Sequence, residues 1–110
     1  MPYKVEKQSG FSIVALTGEV DLSWSPDARK AILETLAART PTLVDLSAVT
    51  YIDSSGVASL VEGYQNARKT GVEFGLIGVS PAALGVLELA RLDKVFPIYK
   101  SLAERLAKAS

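Results

Sequence analysis

From residue 26 onward the chain alternates between stretches with one apolar face at helical spacing and short runs rich in Val, Ile, Leu and Phe. Strand-like runs fall at 42–47 (TLVDLS), 72–79 (VEFGLIGV) and 95–99 (VFPIY). Helical stretches surround them: one opening at Pro26 and closing at Thr40-Pro41, one from Ser54 or Ser55 to Thr70-Gly71, one from 81 to about 90, and one at 101–109. Ahead of this series, YKVEKQ (3–8) alternates polar and apolar residues, and FSIVALTGEV (11–20) is rich in β-formers. Ser9-Gly10 between them is a turn signal, so the two runs read as a hairpin. Strands that alternate with helices favour right-handed crossovers and a largely parallel sheet with helices packed against it. The expected class is α/β: a hairpin, then alternating elements, with about five strands in a mixed, mostly parallel sheet and about four helices. A length of 110 residues implies one domain spanning 1–110.

Local signals sharpen the helices. Ser25 is the expected cap of the first, with Gly18–Ser25 as the loop before it and Ala28, Ile32, Leu33 and Leu36 on its apolar face. In the second helix Val57, Leu60, Val61, Tyr64 and Ala67 form a continuous amphipathic stripe. Arg68 and Lys69 stand in its last turn, where cations suit the helix dipole, and Gly71 closes it. Ser80-Pro81 opens the third. Pro97 suits an edge strand, and Leu102 and Leu106 lie one turn apart in the last helix. Tyr51 and Tyr64 read as packing residues. Trp24, the sole tryptophan, is either an exposed partner anchor or a ring folded back on the first helix.

The inventory of chemical groups is short. Twelve basic and twelve acidic side chains cancel, which argues against a nucleic-acid binder that works by neutralising phosphates. Without cysteine there is no disulfide framework or thiolate metal site, and without histidine the usual general base and the commonest nitrogen ligand are missing. No metal or cofactor is expected. No apolar run approaches the length of a membrane span, and MPYKVEKQSG lacks the apolar core of a signal peptide, so a cytoplasmic location without membrane insertion is expected. The glycines of GVEFGLIG (71–78) do not have the spacing of a dinucleotide fingerprint. Asp45 and Asp53 could share acid–base work, but no activating partner accompanies them, and Asp45 also reads as a strand-end residue holding amides of the following loop.

Polar chemistry concentrates in YIDSSGVASL (51–60). Asp53 or a serine at a helix start accepts a hydrogen bond from a first-turn amide, a contribution of about 1 kcal/mol. The same geometry suits a switch. A helix N-terminus tolerates negative charge, and a phosphate on Ser54 would add roughly −1.5 to −2 charges to the surface next to Asp53. A partner docked there would be repelled without any change in the core.

The segments LTGEVDLS (16–23), LVDLSAVTYIDSSGVASL (43–60) and GVEFGLIGVSPAALGVLELARLDKVFPIY (71–99), in this order and spacing, resemble the anti-sigma-factor antagonist type of STAS domain. The most specific part is VDLSAVTYIDSSG. The resemblance covers nearly the whole chain and implies the STAS fold. It also implies a regulator, not an enzyme. Such an antagonist binds an anti-sigma factor that is also a serine kinase, and so frees a sigma factor for transcription. It is released when the kinase phosphorylates the first serine of D-S-S-G and is restored by a serine phosphatase. By this resemblance Ser54 is the phosphoacceptor, and Asp21, Asp53, Ser54, Ser55 and Gly56 belong to the partner-binding surface. Asp45 matches an acidic strand-end position beneath the phosphorylation loop. STAS domains also serve as subunits of Mla-type lipid-transporting ABC systems, where they bind the ATPase subunit, and this is the alternative expectation. A signalling module of stressosome or chemoreceptor type is a third.

Overall fold

The computed structural model describes residues 3–108. The hairpin consists of β1 (Tyr3–Gln8) and β2 (Phe11–Val20), paired antiparallel from Tyr3↔Leu16 to Gln8↔Phe11. Its two-residue turn places Ser9 at φ 52° and Gly10 at φ 85°. Positive φ at both positions is the twist that matches a tight hairpin, and only glycine adopts it without steric cost. There follow α1 (Ser25–Ala37), β3 (Thr42–Ile52), α2 (Ser54–Thr70), β4 (Phe74–Ile77), α3 (Pro81–Leu89), β5 (Ile98–Tyr99) and α4 (Leu102–Ala107). The strands lie side by side in sequence order, β1-β2-β3-β4-β5, and every pair after the hairpin is parallel. The expected α/β class, five strands and four helices are all present.

Alternation along the strands divides the apolar residues between two faces. Val14, Leu16, Val44, Leu46 and Leu76 meet Ile32 and Leu36 of α1, Val57 and Leu60 of α2, and Ala83 and Leu87 of α3 in the main core. Tyr64 packs edge-on against Phe74 and Phe96, with centroids 6.4 and 5.5 Å apart. Phe11, Ile13, Leu43 and Ile77 form a smaller cluster on the opposite face, joined by Tyr99 and Leu102. There α4 is held by Arg105, which makes a two-pronged ion pair with Glu73 and lies 5.2 Å from the Phe11 ring centroid.

Several boundaries differ from the sequence expectation. β3 runs on to Ile52 instead of ending at 47; its buried residues Val44, Leu46, Val49 and Ile52 lose the period of two, which hides the second half of the strand in the sequence. The pairing with β2 shifts register twice, between Ala15 and Thr17 and between Gly18 and Glu19, so β3 carries extra residues as bulges. β2 accordingly stays a strand through Val20, and the loop before α1 is shorter than Gly18–Ser25. Ser25 does not cap α1. It is the first helical residue and buried; Trp24 stands at the cap position, and its carbonyl accepts from the Asp27 and Ala28 amides. Leu33 is only partly buried, and Ala31 takes its place in the core. β4 is limited to its four fully buried residues. Most of 95–99 is a turn that buries Phe96, leaving Ile98–Tyr99 as strand, while the Pro97 carbonyl accepts from the Leu76 amide. α4 is shorter than 101–109, with Ser101 as its cap, and residue 109 lies outside the described residues. Among the described residues no helix is long and apolar enough to cross a membrane.

Packing of α1 on α2 depends on a side chain that is missing. A Cβ on Gly63 would meet Ile32 Cγ2 at 2.8 Å and Phe74 Cε1 at 3.1 Å. Gly85, in α3, faces open space. Gly63→Ala is expected to destabilise by about 1–3 kcal/mol through overpacking. Gly85→Ala is expected to stabilise by about 0.4–1 kcal/mol through the unfolded chain. Urea titration of the two variants against wild type measures both.

Candidate functional site

Two neighbouring parallel strands, β2 and β3, end on the paired residues Val20 and Ile52, and the loops that leave them meet. The Asp53 amide donates to the Val20 carbonyl at 3.3 Å. Asp53 then leaves the strand in an extended conformation (φ −106°, ψ −173°) and caps α2. A single carboxylate oxygen, Oδ1, accepts three hydrogen bonds: from the Ser55 amide at 2.9 Å, the Gly56 amide at 3.1 Å and the Ser55 hydroxyl at 2.6 Å. The Ser55 hydroxyl, then the Gly56 amide, hold this carboxyl below its ordinary pKa, with smaller help from the amides of Ser55 and Leu22 and against the cost of desolvation.

Gly56 fixes how closely α2 approaches the sheet. A Cβ there would lie 2.6 Å from both Ile52 Cγ1 and the Val20 carbonyl oxygen. The first turn of α2 is also tied to α1. The buried Ser59 hydroxyl reaches the carbonyls of Ser25 and Ser55, each at 3.2 Å. Further along, Arg29 of α1 grips both carboxylate oxygens of Glu62 at 2.6 and 2.7 Å.

Against this fixed background Ser54 stands apart. It is the first residue of α2, it is exposed, and its hydroxyl makes no hydrogen bond among the described residues. Ser55 is half-buried with its hydroxyl engaged. The Asp21 carboxylate accepts from the Ser23 amide at 3.0 Å and shapes the facing loop. That loop carries Leu22, 74% exposed, and Trp24, 39% exposed. Trp24 is thus partly exposed and partly covered. Tyr51 is half exposed, not a packing residue, because the second bulge of β3 turns it outward while Ile52 points into the core.

The fold thus brings Asp21, Asp53, Ser54, Ser55 and Gly56 to one end of the sheet. It does not bring Asp45 there. Asp45 lies mid-strand, seven residues before Ile52, paired with Ala15 and Ile77. Its carboxylate accepts from the Ser47 amide at 2.9 Å, the amide freed where β3 bulges. It lines a cleft of about 380 Å³ on the α4 side with Glu6, Ile13, Ile77 and Lys100. Sequence reasoning missed Ser59, although a polar residue on the buried side of an amphipathic helix is a signal. It also missed Arg29–Glu62, for which no local signal exists at a separation of 33 residues. Among the described residues no group of three or more Asp and Glu is placed to hold a metal ion.

The STAS domain family model matches residues 3–105. The chain is 28% identical over 103 residues to the anti-sigma-F factor antagonist RsfB of Mycobacterium tuberculosis, covering 93% of this chain and 84% of that one. The crystal structure of an anti-sigma factor antagonist from Mycobacterium paratuberculosis is 34% identical, with a TM-score of 0.85 over 96% of this chain and 90% of that one. The Bacillus cell fate determinant SpoIIAA in its phosphorylated form has a TM-score of 0.74 over 96% and 97% of the two chains, at 16% identity, a likeness of fold.

The depressed Asp53 pKa links the cap to acid stability. A carboxyl whose pKa is lower folded than unfolded stabilises the fold above the unfolded value and loses that contribution as pH falls through the folded one. Asp53→Ala should therefore be less stable than wild type at neutral pH. The gap should narrow on acidification below about 4, the ordinary Asp range. Urea midpoints of both proteins measured from neutral pH to acid give the two curves, and parallel curves would reject the link.

Proposed function

The chain belongs to the STAS domain family, and on that premise we propose that it is an anti-sigma-factor antagonist switched by phosphorylation of Ser54. In its unmodified form it binds an anti-sigma factor that is also a serine kinase, and the sigma factor is set free. Phosphorylation at Ser54 ends the interaction, and a serine phosphatase restores it. The chain is the substrate of these enzymes and performs no catalysis itself. It acts as a single domain in the cytoplasm, where the transcription machinery is.

One observation carries this reading: Asp53 Oδ1 holds the Ser55 hydroxyl and the first-turn amides, while the Ser54 hydroxyl makes no hydrogen bond among the described residues and faces solvent. The relatives named as antagonists support the partner class, and a protein of the same fold, SpoIIAA, occurs in a phosphorylated form. The surroundings fit a docking surface. Leu22 and Trp24 expose apolar area on the adjoining loop, and aromatic anchors near the centre of an interface contribute most of its affinity. A phosphate among them would add roughly −1.5 to −2 charges to a surface that a partner must desolvate.

Wild-type and Ser54→Asp baits in a pull-down from the native cytoplasm, read by mass spectrometry with phosphosite mapping, test the reading. Wild type is expected to capture a serine-kinase anti-sigma factor and to carry phosphate on Ser54. Ser54→Asp should lose the kinase, a weakening of about tenfold or more corresponding to about 1.4 kcal/mol. Ser54→Ala should keep the partner and stay within about 0.5 kcal/mol of wild-type stability, as exposed positions do. Trp24→Ala should weaken binding by about 2 kcal/mol. Capture of an ABC ATPase and permease by both baits, without phosphate, would replace the proposal with the transporter-subunit function.

A further inference from the structure

We propose that Asp53 is the residue that decides which of the two adjacent serines receives phosphate, by committing Ser55 and leaving Ser54 free. The inference rests on the reading of this turn as a phosphorylation site and concerns its selectivity. Capping α2 requires only that Asp53 accept the Ser55 and Gly56 amides. The additional 2.6 Å bond from the Ser55 hydroxyl to the same oxygen is not part of a cap. The carboxylate cannot turn away from that hydroxyl without releasing both amides. Gly56, pressed against Val20 and Ile52, prevents the turn from shifting as a whole. The Ser55 carbonyl is held in turn by Ser59.

The chemistry of transfer then differs at neighbouring positions. In either case the γ-phosphoryl group of a nucleoside triphosphate is transferred to a serine Oγ. The new Oγ–P bond forms as the Pγ–O bond to the β-phosphate breaks, the diphosphate leaves, and the hydroxyl proton passes to a base on the kinase. At Ser55 that proton lies in the bond to Asp53, and the product would set a doubly charged phosphate against the carboxylate that it had been bonded to. Asp53 does not compensate by acting as the base, since its depressed pKa makes it a weak one. At Ser54 the hydroxyl is unbonded and exposed, and the product sits at the positive end of the α2 dipole.

The test needs no kinase. Phosphoserine is installed during translation at position 54 or at position 55, in wild type and in Asp53→Asn. Asparagine keeps an oxygen to cap the helix but removes the charge. Phosphate at 54 is expected to change the folding equilibrium constant by less than about threefold, and phosphate at 55 to lower it by about tenfold or more, as like charges in contact do. In Asp53→Asn the difference should fall below about threefold. If the chain with phosphate at 55 does not fold, recovery of folding in Asp53→Asn is the supporting result. By ³¹P NMR the phosphate at 55 should titrate above the ordinary value of about 6, and Asp53→Asn should lower it, a shift that a purely structural role would not produce. Equal tolerance of phosphate at the two positions, or a difference that survives Asp53→Asn, overturns the proposal. Because both readouts are independent of any partner, a negative pull-down and a negative result here are separate failures.

Discussion

Gly56 leaves no room for a single side-chain carbon between the start of α2 and the last rung of β2 and β3. This close approach determines much else. It draws the Asp53 carboxylate over the first-turn amides and sets the loop after β2 against the loop after β3. It also lets the Ser59 hydroxyl reach the carbonyl of Ser25, at the start of α1. A helix N-terminus normally leaves several amides without partners inside the helix. Here the carboxylate takes two of them, and the backbone between the sheet and the helix has no slack. The exposed residues of this end, Leu22, Trp24 and Ser54, are therefore presented by a scaffold whose geometry does not depend on them.

How much of this was legible in the sequence follows from the range of the interactions involved. Elements specified by local signals emerged in place. α2 has a cap, a continuous stripe and a glycine at φ 74° that ends it, and the hairpin has its turn pair. β3 did not, because its bulges are a property of the pairing with β2, and a bulge replaces the period of two with spacings that resemble nothing regular. Ser25 misled for a related reason. Serine before proline is a cap signal, but the helix starts one residue earlier, and the Trp24 carbonyl takes the Asp27 and Ala28 amides that a Ser25 cap would have accepted. The cluster at D-S-S-G was legible because capping and exposure are both local. The distinction between its two serines came from the resemblance and not from local pattern; in the fold the Ser55 hydroxyl is bonded to Asp53 and half-buried, while Ser54 is exposed.

The same limit applies to Asp45. An acidic residue in an apolar run invites a functional reading, and position eight before Asp53 made it a companion of the site. In the fold it stabilises its own strand, accepting the amide at a bulge on the far side of the sheet. A bulge frees backbone groups that the ladder would otherwise pair, and a carboxylate two residues away is an economical acceptor for one of them. The two aspartates have the same local chemistry, a side chain bonded to backbone amides just downstream. They differ in what surrounds them: β-ladder on both sides of Asp45, a helix start and an open surface around Asp53.

On the proposed reading, a switch at Ser54 acts through the surface rather than through the core. The main cluster of apolar residues lies behind β2, β3 and the buried side of α2, and Ser54 is not among them. Charge added at Ser54 meets solvent on one side and the helix dipole on the other, so the fold itself has little reason to respond. A partner does have reason, because it must exclude water from the same few residues, and a doubly charged group there resists desolvation strongly. The ion pair Arg29–Glu62 and the hydrogen bonds of Ser59 keep α1 and α2 in register throughout. Rigidity is what would make such a modification legible to a partner. If the turn could yield, the phosphate could swing aside and the interface could close around it. Gly56 and Asp53 hold the backbone of the turn, so a phosphate on Ser54 would stay on this surface.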